Sequence, residues 1–383
     1  MGALTGLLLL AAGTGFSPVA ERDPVPAAAE AAIEAGDPAR AFAITAPAAA
    51  ACSARNPRND NCVDLWMMLA QTAPAADRLE DGEAAARRAL AAIEASGAGR
   101  GEEAAAALMM LGVIQRVRGR TADAEQSLRA SMGIIVATLG ADGPVAATAY
   151  SYLGATLVEL QRPVEAEALL RRAVAILEKD TGDLAQMLLI ALVEYGMLLS
   201  IAERHAEAEP LLRRAVLLAE KGGQQGLPLL GGALVGLGAG LVGMERYAEA
   251  EAVLRRAVAV NEQVFGKNSP ITLRAVAMLG TSLHFAGRSA DAEPVLRRAV
   301  YAHALSGIWD NMDAIGAAMG MGQIVGDRNP GEARVFYARA AHGALQRMRG
   351  YRDYGVAAQS ELRLFAPVFL GQVKMAWAVG AAR

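Results

Sequence analysis

The side chains best suited to chemistry in this 383-residue chain are four histidines, two cysteines and a series of paired arginines. An imidazole binds zinc or relays a proton when a second histidine stands one helical turn away or a glutamate adjoins it. His205, His284, His303 and His342 have no such neighbour in sequence. Cys52 and Cys62 lie ten apart in the polar loop "ACSARNPRNDNCVD", without a histidine nearby, so they make a poor zinc site. That spacing suits a local disulfide in an oxidising compartment; the alternative is two free thiols in a reducing one. No serine or cysteine stands in a nucleophile motif. "GAGLVG" at 238–243 matches Gly-x-Gly-x-x-Gly, but that fingerprint receives phosphate only where a strand turns into a helix, and here it sits inside a helical stretch. The residues therefore predict no catalytic group, no metal, no cofactor and no small-molecule substrate.

Arginine pairs recur at 87–88, 171–172, 213–214, 255–256 and 297–298. An anionic polymer could follow such a ridge. Each pair, however, follows a glutamate by one helical turn, no aromatics are interleaved, and the net charge is −3. That pattern reads as a solvated outer face and argues against nucleic acid.

The elements that carry these arginines repeat. "AEALLRRAV" at 166–174 returns as AEPLLRRAV at 208–216, AEAVLRRAV at 250–258 and AEPVLRRAV at 292–300, with AEQSLRASM at 124–132. The step is 42 residues, and it also links Leu111-Gly112, Leu153-Gly154, Tyr195-Gly196, Leu237-Gly238 and Leu279-Gly280. Each unit reads as two helices joined by a turn such as "QRP" or "GRS". Hydrophobic residues make up 54% of the chain and aromatics only 5%, so much of the apolar content is alanine, which favours close helix packing. A two-helix unit cannot bury its apolar face alone, so neighbours must stack. Gly112, Gly154, Gly196, Gly238 and Gly280 are expected where the helices cross, meeting Ala166, Ala208, Ala250 and Ala292 twelve residues on, small against small. Glu83/Arg87, Glu125/Arg129, Glu167/Arg171, Glu209/Arg213, Glu251/Arg255 and Glu293/Arg297 are i,i+4 partners on the outside.

This order (an apolar or aromatic residue, Leu-Gly, then Ala, a large apolar residue and Ala) resembles the tetratricopeptide repeat. One unit supplies Tyr150, Leu153, Gly154, Ala166, Leu170 and Ala173, and Trp66 stands where that family often has tryptophan. The 42-residue period is similar to that of the kinesin-light-chain subgroup. The resemblance implies an all-α, right-handed superhelical solenoid with a concave groove lined by first helices. Seven units are expected over 63–349, starting near 63, 105, 147, 189, 231, 273 and 315. A degenerate helical lead-in with the cysteine loop fills 24–62, and 350–383 forms a C-terminal capping tail with a bend at Pro367. The tail's apolar stripe reads as a cap or, alternatively, a self-association or partner helix.

Helical spacing assigns the groove lining to Met109, Val113 and Arg116, then Thr148 and Ser151, then Ile190, Val193 and Met197. Val235 follows, then Arg274, Thr281 and His284, and finally Met319 and Gln323. Such a groove, apolar in the middle and containing methionine, suits adaptable recognition of apolar segments. The kinesin-light-chain style of peptide binding does not carry over, because Met110, Tyr152 and Glu194 stand where that subgroup often has asparagine. The expected function is a non-catalytic scaffold or adaptor that binds an apolar peptide or helix of a protein partner. The alternative is a structural module with a self-occluded groove, assembling into homo-oligomers through its ends. The apolar run Leu4–Ala12 is shorter than the roughly 20 residues of a membrane span. Residues 1–23 read as an export signal, with an uncleaved anchor or a buried helix as alternatives, so a periplasmic or secreted location is expected.

Overall fold

The computed structural model describes residues 24–34, 37–55, 60–74, 78–97, 101–179, 184–307, 309–349 and 355–381. The predicted export signal at 1–23 lies outside them. Among the described residues every regular element is an α-helix. In chain order these are α1 (Pro24–Glu34), α2 (Pro38–Arg55), α3 (Asp60–Thr72), α4 (Leu79–Ala95), α5 (Glu102–Val117) and α6 (Thr121–Leu139). Next come α7 (Pro144–Glu159), α8 (Pro163–Leu177), α9 (Ala185–Ile201), α10 (His205–Lys221), α11 (Gly223–Gly243) and α12 (Tyr247–Phe265). The last are α13 (Pro270–Phe285), α14 (Ser289–Ser306), α15 (Met312–Val325), α16 (Pro330–Met348) and α17 (Val356–Ala381). Contacts divide the chain into two compact units: Met1–Ile201 with Arg214–Leu229, and Ala202–Arg213 with Leu230–Arg383.

Helix starts follow local chemistry. Pro144, Pro163, Pro270 and Pro330 occupy first-turn positions, where the missing N–H costs nothing. Ser269, Asn311 and Asn329 cap by accepting from Thr272, Ala314 and Glu332 N–H groups. Second helices start earlier than the Ala-Glu pair, so Pro210 and Pro294 lie inside α10 and α14 rather than at their first positions. Between the two helices of a repeat, one residue is left-handed: Gly119, Gln161, Glu203, Glu245 or Gly287, with φ between 58° and 76°. This turn lets the next N–H reach back into the first helix, as Arg162 does to the Leu157 carbonyl at 2.9 Å.

Inside each unit the helices cross at the repeat glycine, but its neighbour differs from the sequence expectation. The glycine receives the leucine sixteen residues on, rather than the alanine at twelve. A Cβ on Gly112, Gly154, Gly238 or Gly280 would lie 2.5–2.6 Å from the nearest atom of Leu128, Leu170, Leu254 or Leu296. These leucines are wholly buried, and so are Ala166, Ala208, Ala250 and Ala292, which line the same crossing. Large into small is what permits the close approach. Gly196 is buried within α9, and in the last repeat Gly322 receives the ring of Tyr337, one residue out of phase with the leucines. The Gly-x-Gly-x-x-Gly match is absorbed in the same way: Gly238 meets Leu254 and Gly243 meets the His205 ring.

In the first unit, α1 packs on α2 and α3 on α4. Trp66 is buried and donates to the Ala49 carbonyl at 3.2 Å, tying α3 to α2. The disulfide Cys52–Cys62 joins the same two helices, with Cα atoms 5.5 Å apart. In the second unit, α17 packs along α16 and runs as one helix through Pro367, without ending at the expected bend.

The outer face carries a ladder of ion pairs that extends beyond the i,i+4 pattern. Glu125, Glu209, Glu251 and Glu293 pair with Arg129, Arg213, Arg255 and Arg297 in their own helices. Each is also held by the turn arginine of the next repeat: Arg162, Arg246 and Arg288 at 2.5–2.7 Å, and Arg328. Glu167 accepts from Tyr195 at 3.5 Å. Glu83 is the buried member, bonded by Arg87, Arg118 and Arg120. Burial works against its charge, but these three guanidiniums outweigh it and hold its carboxyl below the ordinary value of 4.5.

Two outcomes follow from these contacts. Gly154→Ala should cost about 1–3 kcal/mol in urea unfolding through overpacking, and most of that cost should vanish in a Leu170→Ala background. Glu83→Gln should cost roughly 1.5–3 kcal/mol at neutral pH by removing charge-assisted hydrogen bonds. Because the folded carboxyl titrates low, its stabilisation is present above the ordinary carboxylate range and lost as pH falls through the folded value. The gap in thermal midpoint between the native chain and Glu83→Gln should therefore narrow on acidification.

Candidate interaction surface

The first helices of the repeats are the candidate surface, and the two compact units differ in what those helices expose. In the first unit, α7 packs against α5, α6, α8 and α9. A helix that is apolar all round is buried, and α7 and α9 are apolar on nearly every side. As a result the predicted lining is closed. Met109, Val113, Thr148, Ser151, Ile190 and Val193 are buried, Val113 completely, and Met197 is half-buried. Thr148 and Ser151 return their hydroxyls to the carbonyls of Pro144 and Ala147, four residues back in α7. These residues belong to the core, which corrects their assignment to an open groove. Val235, in α11 of the second unit, is likewise buried and is corrected with them.

Arg116 is also buried, and it brings three consecutive first helices together through charge. Its guanidinium meets Glu159 of α7 at 3.1 Å and Glu194 of α9 at 3.5 Å. Burial opposes the guanidinium charge, but Glu194 and then Glu159 outweigh it and keep Arg116 protonated. Tyr152 lies beside this cluster, and burial pushes its phenol above the ordinary range. The spacing places Tyr152 and Glu194 at the expected asparagine position but gives no sign of this grouping.

In the second unit the corresponding row is accessible on α13 and α15. On α13, Arg274, Thr281 and His284 are half-exposed; on the adjoining α15, Met319 is half-exposed and Gln323 exposed. Met278 is half-exposed, and two residues that the spacing argument left out extend the apolar part: Phe285 is 55% exposed and Met312 39%. His284 Nδ1 lies 3.0 Å from Ser289 Oγ, and its ring centroid stands 6.0 Å from that of Phe285. The signal for Phe285 was its place directly after His284 at the end of a first helix. No cluster of His, Cys, Asp and Glu fit to hold a metal occurs among the described residues.

Stacked helical hairpins, with the first-helix row closed in one unit and accessible on α13 and α15 in the other, define a helical-repeat fold. The tetratricopeptide repeat model matches residues 103–179 and 229–300, so these two stretches carry tetratricopeptide repeats. Solved structures are similar to the chain at low identity, and the first two below share the fold. A Rap protein complexed with Competence and Sporulation Factor is 14% identical, with a TM-score of 0.58, covering 94% of this chain and 100% of that one. Aspartyl phosphate phosphatase F from Bacillus subtilis is 12% identical, with a TM-score of 0.51, covering 95% and 96%. A kinesin light chain with nearly identical TPR-like repeats from Podosopora anserina is 20% identical, with a TM-score of 0.44, covering 52% and 94%. No curated protein matches the chain.

Since Val193 and Val235 are both buried, the Val193→Glu/Val235→Glu double variant should lower the thermal midpoint by about 5 °C or more. Unchanged stability in that variant would return both residues to the surface.

Proposed function

We propose that this protein is a non-catalytic adaptor that takes an apolar peptide or helix of a protein partner on the first-helix row of its second unit. The observation that carries this reading is the accessible row on α13 and α15, where Met278, Phe285, Met312 and Met319 stand among Arg274, Thr281, His284 and Gln323. Exposed methionine and phenylalanine supply adaptable apolar contact, and the sparse polar groups between them fix orientation. The Arg116 cluster has a structural part in this reading, holding α5, α7 and α9 together. The closed row in the first unit favours the second reading for that part of the chain, a structural module that serves as a spacer. The Cys52–Cys62 disulfide supports an exported location, where such a bond persists.

The test compares proteins captured by the native chain with those captured by Thr281→Glu/Met319→Glu. Both side chains are partly exposed, so the variant should keep its helicity and thermal midpoint. A partner on this row should be lost from the variant alone. Identical sets of captured proteins from two equally stable forms would move the interaction away from the row.

A further inference from the structure

We propose that the C-terminal helix α17 is a docking surface for an anionic lipid bilayer, with the helix lying in the plane of the membrane surface rather than crossing it. This goes beyond the adaptor reading and does not depend on it.

The helix has two apolar sides. One side is used within the protein: Phe365, Val368 and Met375 are buried in a core shared with Phe336, Tyr337 and Ala340 of α16. The other side is bare. Leu362, Leu370, Val373 and Trp377 are exposed, Leu370 by 70% and Trp377 by 80%. At 100° per residue they fall within an arc of about 80°, a continuous stripe along the helix. The window Glu361–Gly380 has a mean hydropathy of 1.2 yet is only 17% buried. The other apolar window of similar length, Gly226–Gly243 in α11, is 67% buried and belongs to the core.

Charge selects the occupant. Arg363 and Lys374 are exposed and border the stripe, lying roughly 20–40° beyond its edge by the same helical geometry. The one carboxylate on α17, Glu361, is buried and pairs with Arg347 at 2.7 Å. On α16 Arg334 and Arg339 are exposed, as is Arg349 just after it, and Arg339 lies over the Trp309 ring at 5.6 Å. Residues 330–383 hold eight arginines and lysines against three aspartates and glutamates, in a chain of net charge −3. Elsewhere the ladder arginines are neutralised by glutamates of their own and adjacent repeats; among the described residues Arg363 and Lys374 are exposed and make no ion pair.

An apolar stripe with a tryptophan and a cationic border is the pattern of a helix seated at the headgroup level. Aromatic rings such as that of Trp377 settle at that level, and basic side chains gain from an anionic leaflet. A second copy of the chain fits less well, because no exposed carboxylate on α17 could meet Arg363 and Lys374 across a helix pair. Spanning would strip Phe365, Val368 and Met375 from their places on α16.

The experiment is co-sedimentation of the full chain with vesicles of phosphatidylcholine alone, or mixed with phosphatidylglycerol. Partition onto the mixed vesicles should be ~10-fold stronger and should weaken with added salt. Tryptophan emission should shift to the blue on binding, and the shift should vanish in Trp377→Phe. Leu370→Ser/Trp377→Ser should lose binding while keeping native helicity, because both side chains are exposed. Arg363→Gln/Lys374→Gln should lose the preference for the anionic mixture. Equal partition of the native chain onto both vesicles, or none onto either, would overturn the proposal. So would light scattering that shows a dimer which Leu370→Ser/Trp377→Ser turns into a monomer, since the stripe would then belong to a second copy.

Discussion

A buried leucine seated on a bare turn of helix sets the distance between the two helices of a repeat. Gly154 and Leu170, Gly238 and Leu254, and Gly280 and Leu296 all make this contact with almost the same spacing. A side chain on the glycine would meet the leucine well inside van der Waals range, and the wholly buried leucine has little room to give. The close approach brings the flanking alanines into the crossing and leaves the outward positions of the second helix to glutamate and arginine. Core packing and surface electrostatics are thus two faces of one geometric constraint.

The ladder of ion pairs works at the next level. A glutamate held only by an arginine in its own helix would add little, since exposed pairs of that kind contribute roughly 0.3–0.5 kcal/mol. The turn arginine of the following repeat changes what the contact reports. It joins Glu209 to Arg246 and Glu251 to Arg288 across successive hairpins, so the pair forms only when the hairpins stack in register. The left-handed residues just before Arg246 and Arg288, Glu245 and Gly287, aim these arginines at that neighbour.

The 42-residue spacing of Leu-Gly and Ala-Glu made the repeats, the helix pairs and the fold class legible in the sequence. Two things were not. The spacing points to the alanine twelve residues on as the partner of each glycine, because alanine and leucine lie one turn apart on the same face and spacing alone does not choose between them. The open face of the first helices is misassigned in the first unit and at Val235, because segments such as Leu188–Val193 are apolar in every direction and offer no periodicity to follow. Arg274, Thr281 and His284 are half-exposed, whereas the polar Arg116, Thr148 and Ser151 of the first unit are buried. The reach of the turn arginines was written in the chain at the same period, but no local rule spans a turn to pair them.

The glycine–leucine seat and, from Arg120 to Arg288, the arginine that follows each turn recur at a fixed offset, and this constrains how such a chain can change length. A block cut or duplicated over one whole period rejoins like with like: the next leucine finds a glycine, and the next arginine finds a glutamate. A cut of any other length strands both. The array is therefore free to grow or shrink by whole steps of 42 residues, as a zip fastener can be lengthened by teeth and by nothing smaller.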